Sequence, residues 1–189
     1  MSTSIVIPAY GRWDLLHTLL FDLYQKCSLI EEVIIVNDKP DDKDTRNGLA
    51  WWKTTKMLPI EVIETEENLG FLQASNLGLK SAVEDNVILI STDVRVHKDI
   101  VEFMKLSQSQ YVVGGKLLDW DTGWNAIGNR VFPYLEGWLL AASKETWRTL
   151  DYFDYIYAPN DMEDVDFSTK AVYWDYQLST FPEGYVSHI

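Results

Sequence analysis

The stretch "NVILISTDV", residues 86–94, is the most informative part of the sequence for the fold. It has the apolar run of a buried strand, and the carboxylate of Asp93 follows shortly after that run. Four apolar residues in succession are typical of a strand covered on both faces, as in a parallel sheet. The run then meets Ser91, Thr92 and Asp93. Asp93 has two interpretations, a turn residue or a ligand for a metal or nucleotide at the carboxyl end of a sheet.

The residues before this strand repeat the same pattern three times. Similar runs are "SIVIPAY" (4–10), "EEVIIVND" (31–38) and "IEVIET" (60–65). Helical patterns separate the runs over residues 15–23, 44–57 and 68–83, of which the second is weaker because Gly48 interrupts it. A βαβαβαβ order predicts a parallel, doubly wound sheet, and in such sheets ligands bind at the carboxyl ends of the strands.

The second half has a different pattern. The segment "YVVGGKLLDWDTGWNAIGNRVF" (111–132) is rich in turns and predicts antiparallel strands. Further strands are predicted at 136–143, 176–181 and 184–189, with helices from Ser143 and over 161–174. We therefore expect an α/β fold with a mostly parallel central sheet flanked by helices and a small antiparallel portion. Residues 1–189 are predicted to form one domain whose role changes near Asp93.

Composition limits the possible functions. The net charge of −13 argues against nucleic acid and requires any phosphorylated ligand to be neutralised by a cation, helix N-termini or a few placed bases. No apolar run approaches the ~20 residues of a membrane span, and the N-terminus does not resemble a signal peptide. Cys27 is the single cysteine, which excludes an internal disulfide and favours a reducing cytoplasm.

Two polar turns follow predicted strands. Asp38 precedes Lys39 and Pro40, so it is either ordinary turn chemistry or an acceptor for a base N–H or a ribose hydroxyl. The segment "NLGFLQASNLG" (68–78) resembles a phosphate-binding turn but lacks the dinucleotide-binding and Walker A patterns. Its alternative interpretation is a helix entrance, with Asn76 and Gly78 allowing close packing.

Acidic residues concentrate in "NDMEDVDFS", residues 160–168. They can complement a helix dipole, with Asp161 as N-cap and Asp164 at the third helical position. Their mutual repulsion also raises proton affinity, so the cluster is a candidate general base. His188, near the end of the sequence, is either a surface residue or, beside Asp93, part of a shell for Mn²⁺ or Mg²⁺.

Taken in order, these motifs resemble glycosyltransferase family 2. The segments that carry the resemblance are "SIVIPAYGR", "EEVIIVND", "ENLGFLQASNLGL", "VILISTDVRV", "EGWLLAAS", "FDYIYAPNDMEDVDFSTKA" and "GYVSHI". The similarity extends from Ser4 to His188 and is greatest to the rhamnosyltransferase-like branch, whose metal loop resembles L-N-P-D-V and whose acidic helix resembles E-D-V-D-L. It implies a GT-A fold that binds a nucleotide sugar.

The resemblance also implies roles for individual residues. The implied nucleotide-sugar site consists of Pro8, Ala9, Tyr10, Arg12, Asp38, Asn68, Gly70, Asn76, Thr92 and Asp93. The implied acceptor side consists of Gly137, Trp138 and Glu163. Asp164 matches the catalytic base, and Asp93 with His188 matches the ligands of a divalent cation, Mn²⁺ or Mg²⁺. Residues 1–93 are thus the expected nucleotide-binding half and 94–189 the acceptor and catalytic half.

Three departures from the family pattern bear on these roles. Ser91 replaces the first acid of the D-x-D motif, which predicts modest metal affinity. Ser75 stands where an arginine is common, which removes one phosphate partner. Relatives usually continue beyond the position of His188, so the chain is either a minimal enzyme or one domain of a longer protein.

The function implied is inverting, metal-dependent transfer of a sugar from a UDP-, GDP- or dTDP-linked donor to a hydroxyl of a glycan or other acceptor. Trp138, Trp120 and Trp124 are candidates for stacking on sugar rings, although packing is the commoner role of tryptophan. A cytoplasmic enzyme, held peripherally at a membrane through its acceptor, fits the composition. The alternatives are a non-catalytic domain that binds a nucleotide sugar or glycan, and a sugar nucleotidyltransferase, which usually has a glycine-rich basic loop after the first strand.

Overall fold

A computed structural model describes residues 1–106, 110–121, 131–159 and 161–189. Its strands are β1 (Thr3–Ala9), β2 (Glu32–Asn37), β3 (Ile60–Glu64), β4 (Asn86–Ile90), β5 (Val94–Val96), β6 (Tyr111–Gly114), β7 (Leu117–Asp121), β8 (Val131–Leu135), β9 (Leu139–Ser143), β10 (Gln177–Thr180) and β11 (Val186–His188). Its α-helices are α1 (Trp13–Lys26), α2 (Lys43–Thr55), α3 (Phe71–Ser81), α4 (Ile100–Leu106), α5 (Lys144–Thr149) and α6 (Glu163–Tyr173). A short 3₁₀ helix covers Tyr155–Tyr157.

Seven strands form the central sheet in the order β10-β6-β9-β4-β1-β2-β3. Strands β4, β1, β2 and β3 run parallel, as the βαβ pattern predicts, and β10 pairs parallel with β6 at the far edge. Strand β9 is antiparallel to both neighbours, β4 and β6. Two small antiparallel pairs, β5 with β11 and β7 with β8, lie outside this sheet. The predicted α/β class, with a mostly parallel sheet and a small antiparallel portion, is confirmed.

Helices cover both faces of this sheet, and the central strands are therefore apolar on both sides. In β1, Ile5 and Ile7 pack into the core under α1 and α2, whereas Val6 between them packs into the core under α3. The alternation follows from the two-residue period of a strand. Strand β4 is likewise buried along its whole length, which accounts for its continuous apolar run.

Some helix boundaries and short elements differ from the prediction. Helix α3 begins at Phe71, so residues 68–70 form the loop that enters it. The proposed capping role of Asp161 is wrong, because α6 begins at Glu163 after Met162 in a left-handed conformation. Strand β5 and helix α4 were not predicted. Strand β5 has three residues, too few to show a periodic pattern, and it forms only by pairing with β11.

Among the residues described, no helix is long and apolar enough to cross a membrane. The expected helix after Ser143 is present, and the Ser143 side chain caps it by accepting a hydrogen bond from the Thr146 backbone N–H. Helix α2 runs through Gly48 without a break.

Candidate functional site

The loops at the carboxyl ends of β1 and β2 and the start of α3 enclose a cavity of about 330 Å³. The residues that line it are Pro8, Ala9, Tyr10, Asp38, Asn68, Gly70, Phe71 and Ala74. The first six are residues that the sequence assigned to a nucleotide-sugar site, and the structure brings them together. Phe71 and Ala74 were missed, although their place on the first turn after the Asn68–Gly70 loop indicates that they face the same space.

Asp38 is buried in the wall of this cavity, where it holds the loop that precedes α3. Its carboxylate accepts hydrogen bonds from the backbone N–H groups of Leu69 (2.8 Å) and Gly70 (2.9 Å). The Thr65 hydroxyl donates a third bond at 3.2 Å. The Asn68 side chain also accepts from the Gly70 N–H, at 3.0 Å. Asp38 therefore shapes the cavity through the loop, in addition to any contact it makes with a ligand.

Gly70 is required where the loop meets the segment that leads towards α6. Its φ is +80°, and a Cβ at this position would lie 2.8 Å from the Cβ of Pro159. The Pro159 carbonyl accepts a hydrogen bond from the Leu72 N–H at 3.0 Å. A side chain at position 70 would suffer both backbone strain and this overlap, so the cavity wall depends on glycine here.

Asn76 does not reach the cavity, contrary to its assignment beside the nucleotide. Its side chain is fully buried, donates to the Phe153 carbonyl at 2.8 Å and accepts from the Phe153 N–H at 3.1 Å. Both ends of the amide are thereby used to hold the segment after α5. The packing interpretation describes Asn76, and Ser75 beside it is fully buried as well.

Asp93 and His188, which are 95 residues apart, meet at the same edge of the sheet. The pairing of β11 with β5 sets His188 opposite Val94, and the Ile189 N–H donates to the Asp93 carbonyl at 3.0 Å. The His188 Nε2 atom lies 3.4 Å from an Asp93 carboxylate oxygen. Both side chains are partly exposed. Across the described ranges, no group of three or more Asp, Glu, His or Cys side chains is arranged to hold a metal.

Trp138 lies directly on His188 rather than free on the surface. The two rings are parallel, with centroids 4.9 Å apart and planes at 6°. The indole N–H donates to the Glu136 carboxylate at 2.9 Å, and Lys116 lies 3.6 Å from the same carboxylate oxygen. A Cβ on Gly115 would be 1.9 Å from the indole, so only glycine leaves room for it. Trp138 therefore restricts the orientation of the His188 ring.

Asp164 lies in the first turn of α6 and faces the loop between β8 and β9. Its carboxylate accepts from the backbone N–H groups of Gly137 (3.0 Å) and Val165 (2.8 Å). Partial burial raises the pKa of this carboxyl above its ordinary value despite these two hydrogen bonds, and the charge of Glu136 adds to the rise. Burial also raises the pKa of Tyr134, with Asp164 and Glu136 acting in the same direction. The sequence analysis missed Tyr134 and Glu136, although both lie within three residues before the predicted Gly137.

The other acids of this cluster separate into distinct roles. Glu163 is buried and accepts from the Asp161 N–H at 2.6 Å, and burial raises its pKa, with the charges of Asp164 and Asp161 contributing less. Asp166 pairs with Lys170 at 2.8 Å, one turn further along the helix. The sequence attributed the raised proton affinity of this cluster to repulsion between its carboxylates. In the structure, burial is the larger cause of the raised pKa of both Glu163 and Asp164.

Two further assigned residues, Thr92 and Arg12, do not line the cavity. Thr92 is half-buried in the loop before Asp93. Arg12 is exposed and forms a bidentate pair with Asp14 at 2.9–3.0 Å. Lys39, which was not assigned, lies 5.3 Å from the centre of the Tyr10 ring. The Trp120 side chain and all of Trp124 fall outside the described residues, so their suggested stacking remains a prediction.

The fold and the residues at this edge of the sheet define a GT-A type domain. The sequence profile of Glycosyl transferase family 2 matches residues 4–150, and the chain belongs to this family. One relative, the uncharacterized glycosyltransferase YwdF of Bacillus subtilis, is 32% identical over an alignment of 137 positions, and the match covers 62% of this chain and 49% of YwdF. The chain thus spans about half the length of this relative. The matches do not single out the rhamnosyltransferase-like branch.

Solved structures share the fold at low sequence identity. The mannosyltransferase PcManGT of Pyrobaculum calidifontis, in complex with GDP-Man and Mn²⁺, has a TM-score of 0.74 and 18% identity, over 96% of this chain and 55% of PcManGT. GalNAc-T7 with UDP, GalNAc and Mn²⁺ has a TM-score of 0.82 and 15% identity, over all of this chain and 44% of GalNAc-T7. These similarities confirm the GT-A architecture.

Proposed function

We propose that this chain is the catalytic domain of an inverting, metal-dependent glycosyltransferase that uses a nucleotide-diphosphate sugar. The observation that carries the proposal is the position of Asp164, a carboxylate of raised pKa, in one site with the Asp93–His188 pair through Trp138 and Gly137. Residues 1–93 supply the donor side and residues 94–189 the acceptor side. The donor is UDP-, GDP- or dTDP-linked, and the acceptor is a hydroxyl of a glycan or a similar molecule.

The donor nucleotide occupies the cavity between Tyr10, Asp38 and Asn68, which has the concave shape and mixed lining of a small-molecule site. The protein carries a net charge of −13, so a diphosphate needs local compensation. Lys39, next to Tyr10, provides one positive charge, whereas the charge of Arg12 is already paired with Asp14. A divalent cation provides the rest.

Asp93 and His188 suit such a cation. Two neighbouring ligands of an octahedral ion bound at about 2.1 Å lie about 3 Å apart, close to the 3.4 Å between Asp93 and His188. Carboxylate oxygen and imidazole nitrogen are both ligands of Mn²⁺. Asp93 and His188 would be its two protein ligands, and Ser91 in place of an acid fits this small number. When bound, a cation of this kind neutralises the departing diphosphate.

Asp164 is the general base. It takes the proton from the acceptor hydroxyl while the hydroxyl oxygen forms its bond to the anomeric carbon and the bond to the diphosphate breaks. A single displacement of this kind inverts the anomeric configuration. Partial burial moves the pKa of Asp164 towards neutrality, which increases its driving force for accepting a proton. The backbone N–H of Gly137 orients the carboxylate.

A domain that binds a nucleotide sugar without turnover is the second candidate, favoured by Ser91 and by the two-residue metal pair. The free thiol of Cys27 fits the cytoplasmic location that we propose for either function.

The test is to incubate the protein with UDP-, GDP- and dTDP-sugars, with Mn²⁺ or with chelator, and to measure thermal shift and donor turnover. A nucleotide at 100 times its Kd stabilises the fold by about 2.7 kcal/mol. We expect one nucleotide to stabilise the protein only with the cation, and Asp93→Ala to lose this metal response. Glu66→Ala, an exposed acid in the loop after β3, is the control.

The outcomes separate the candidates. Turnover of the donor with a supplied acceptor supports the transferase. Metal-dependent nucleotide binding with no turnover for any acceptor favours the binding domain. If no metal–nucleotide pair shifts the melting temperature, the donor site itself is wrong.

A further inference from the structure

A second cavity, of about 570 Å³, lies between α1 and α2 and shares no lining residue with the donor cavity. Trp13, His17, Asp44, Asn47, Gly48 and Trp51 line it. We refer to it as the tryptophan groove. None of these residues has a role in the proposed transfer reaction.

The aromatic floor of the tryptophan groove depends on one glycine. A Cβ on Gly48 would lie 2.1 Å from the indole of Trp13, so the indole packs directly on the backbone of α2. Glycine in a helix interior costs about 1 kcal/mol relative to alanine. Gly48 is therefore tolerated in α2 because it leaves room for the Trp13 indole to pack against the helix. The outer wall is Trp51, whose surface is 51% exposed.

His17 presents a hydrogen-bond donor to the groove. The Trp52 indole N–H donates to His17 Nδ1 at 3.1 Å, so Nδ1 carries no proton and Nε2 carries it in the neutral ring. In the part of the chain that the structure describes, no acceptor is bonded to Nε2. The His17 ring also contacts Trp13, with ring centres 5.2 Å apart.

Two polar side chains complete the groove without internal partners. Asp42 already caps α2 by accepting from the Thr45 N–H at 2.8 Å, so Asp44 is not needed for capping. Asp44 and Asn47 are exposed, and over the described ranges neither side chain makes a hydrogen bond or ion pair within the protein. The groove thus combines two indoles with one acceptor, Asp44, and two donors, Asn47 and His17.

We infer that the tryptophan groove binds a pyranose ring of a glycan, as a subsite separate from the reaction centre. The C–H face of a pyranose packs on an indole, and its hydroxyl groups both donate to a carboxylate and accept from N–H groups. A cationic ligand would also suit Trp51 and Asp44, but it would leave the donors of His17 and Asn47 without acceptors. A ring with hydroxyl groups satisfies all three polar residues.

The groove lies on residues 13–51, in the half of the chain that we assign to the donor. An acceptor that contacts it therefore extends beyond the acceptor side formed by Gly137, Trp138 and Glu163. The inference rests on the proposed function in this respect, because a glycan transferase gains affinity from a second contact with its acceptor. Binding of a sugar to the groove is nevertheless measurable by itself.

The experiment uses saturation-transfer NMR with methyl pyranosides of glucose, galactose, mannose and N-acetylglucosamine, and their trisaccharides. The protein is first saturated with diamagnetic Mg²⁺ and with whichever of UDP, GDP and dTDP binds. Filling the donor cavity first prevents the probes from binding there. We expect at least one pyranoside to bind with a Kd on the order of 1–10 mM, as for a single small ring. Trp51→Ala and Asp44→Asn should each weaken this binding about tenfold.

The matched control is Trp174→Ala, which removes an exposed tryptophan (59% exposed) at the end of α6, remote in sequence from the groove. It should leave pyranoside binding unchanged. Trp51→Ala lies on the surface, and its melting temperature checks that it is folded. Asp44→Asn keeps the shape of the side chain and tests the same site independently of packing.

Several results would overturn the inference. They are the absence of binding by any probe up to 50 mM, equal binding in wild type and both groove variants, or displacement of the probe by tetramethylammonium at lower concentration. Self-association that depends on Trp51, in sedimentation velocity without pyranoside binding, would make the groove a contact between copies. Failure of UDP, GDP and dTDP alike to bind together with the cation would contradict the proposed function. The pyranoside measurements would then be made without them and would test the groove alone.

Discussion

Two aspartates at the same edge of the sheet, Asp38 and Asp164, show how environment divides one residue type between structure and chemistry. Asp38 is buried and accepts three hydrogen bonds from its own chain, two of them from the loop that enters α3. Asp164 is only partly buried and accepts two backbone N–H bonds, one of them from Gly137. Its pKa is raised, so it is better suited to accept a proton.

Because their surroundings differ, removal of the Asp38 carboxylate and removal of the Asp164 carboxylate should have different effects. Loss of Asp38 removes an acceptor from partly buried donors and loosens the wall of the 330 Å³ cavity. Loss of the Asp164 charge removes the proposed general base while leaving most of the packing in place. Stability should therefore respond to the first site and turnover to the second.

The largest effect should come from Asp164→Asn. The amide cannot accept the acceptor's proton, so we expect turnover to fall by about 10²–10⁴-fold, the usual contribution of a general base. The affinity for the metal–nucleotide pair, measured by calorimetry, should stay within about threefold of wild type. Asp166→Asn, two residues further along α6 and paired with Lys170, is the control and should keep its turnover. Full activity in Asp164→Asn would assign the base elsewhere.

Asp38→Ala should have the largest effect on stability. It leaves the Leu69 N–H without an acceptor at a partly buried position, while the Gly70 N–H keeps only the Asn68 side chain, which together costs about 1–3 kcal/mol in the free energy of unfolding. Urea denaturation measures the change. The exposed Asp41 nearby provides the control, Asp41→Ala, which should lie within about 0.5 kcal/mol of wild type. Equal stability of the two variants would contradict the structural role of Asp38.

Trp138→Ala tests whether the acceptor side also supports the proposed cation site through His188. The substitution removes the ring that lies on His188, so the imidazole is no longer held in one orientation. Residues that orient a metal ligand typically contribute 10–100-fold in metal affinity, and we expect a loss of about tenfold in the Mn²⁺ affinity of the nucleotide-bound protein. Titration of Mn²⁺ by calorimetry measures it. Glu136→Gln keeps an acceptor for the indole N–H and should cause a smaller loss; unchanged affinity in Trp138→Ala would separate this ring from the metal.

The smallest effect is predicted for Glu163→Gln. Because burial raises the Glu163 pKa in the folded state, the folded protein keeps this proton at pH values where the unfolded chain has lost it. Wild-type stability therefore falls as the pH rises from the ordinary glutamate range through the raised pKa. Glutamine removes this loss of stability at high pH. The variant should therefore melt at a higher temperature than wild type at pH 8 and at nearly the same temperature as wild type at pH 3.5. Glu102→Gln, at an exposed helix position, should show no such pH dependence.

The sequence predicted the parallel part of the fold because four apolar runs with intervening helical patterns carry a strong periodic signal. Six of the eight residues that line the 330 Å³ cavity were also picked out from the sequence, since the carboxyl ends of parallel strands meet at one edge. It misplaced Asn76, because a buried amide that holds the Phe153 backbone and one that holds a ligand look identical in sequence. It missed Tyr134, Glu136 and Gly115, because their roles depend on contacts between segments that are separated in sequence.

The pairing of β11 with β5 makes the Asp93–His188 site a late product of protein synthesis. The ribosome adds Val186 only 96 residues after it completes β4 at Ile90. The cavity wall also contacts Pro159, so it too includes a residue that is added after β4. The proposed transfer reaction therefore needs both halves of the described fold, and the imidazole that we assign to the cation is among the last groups to be added.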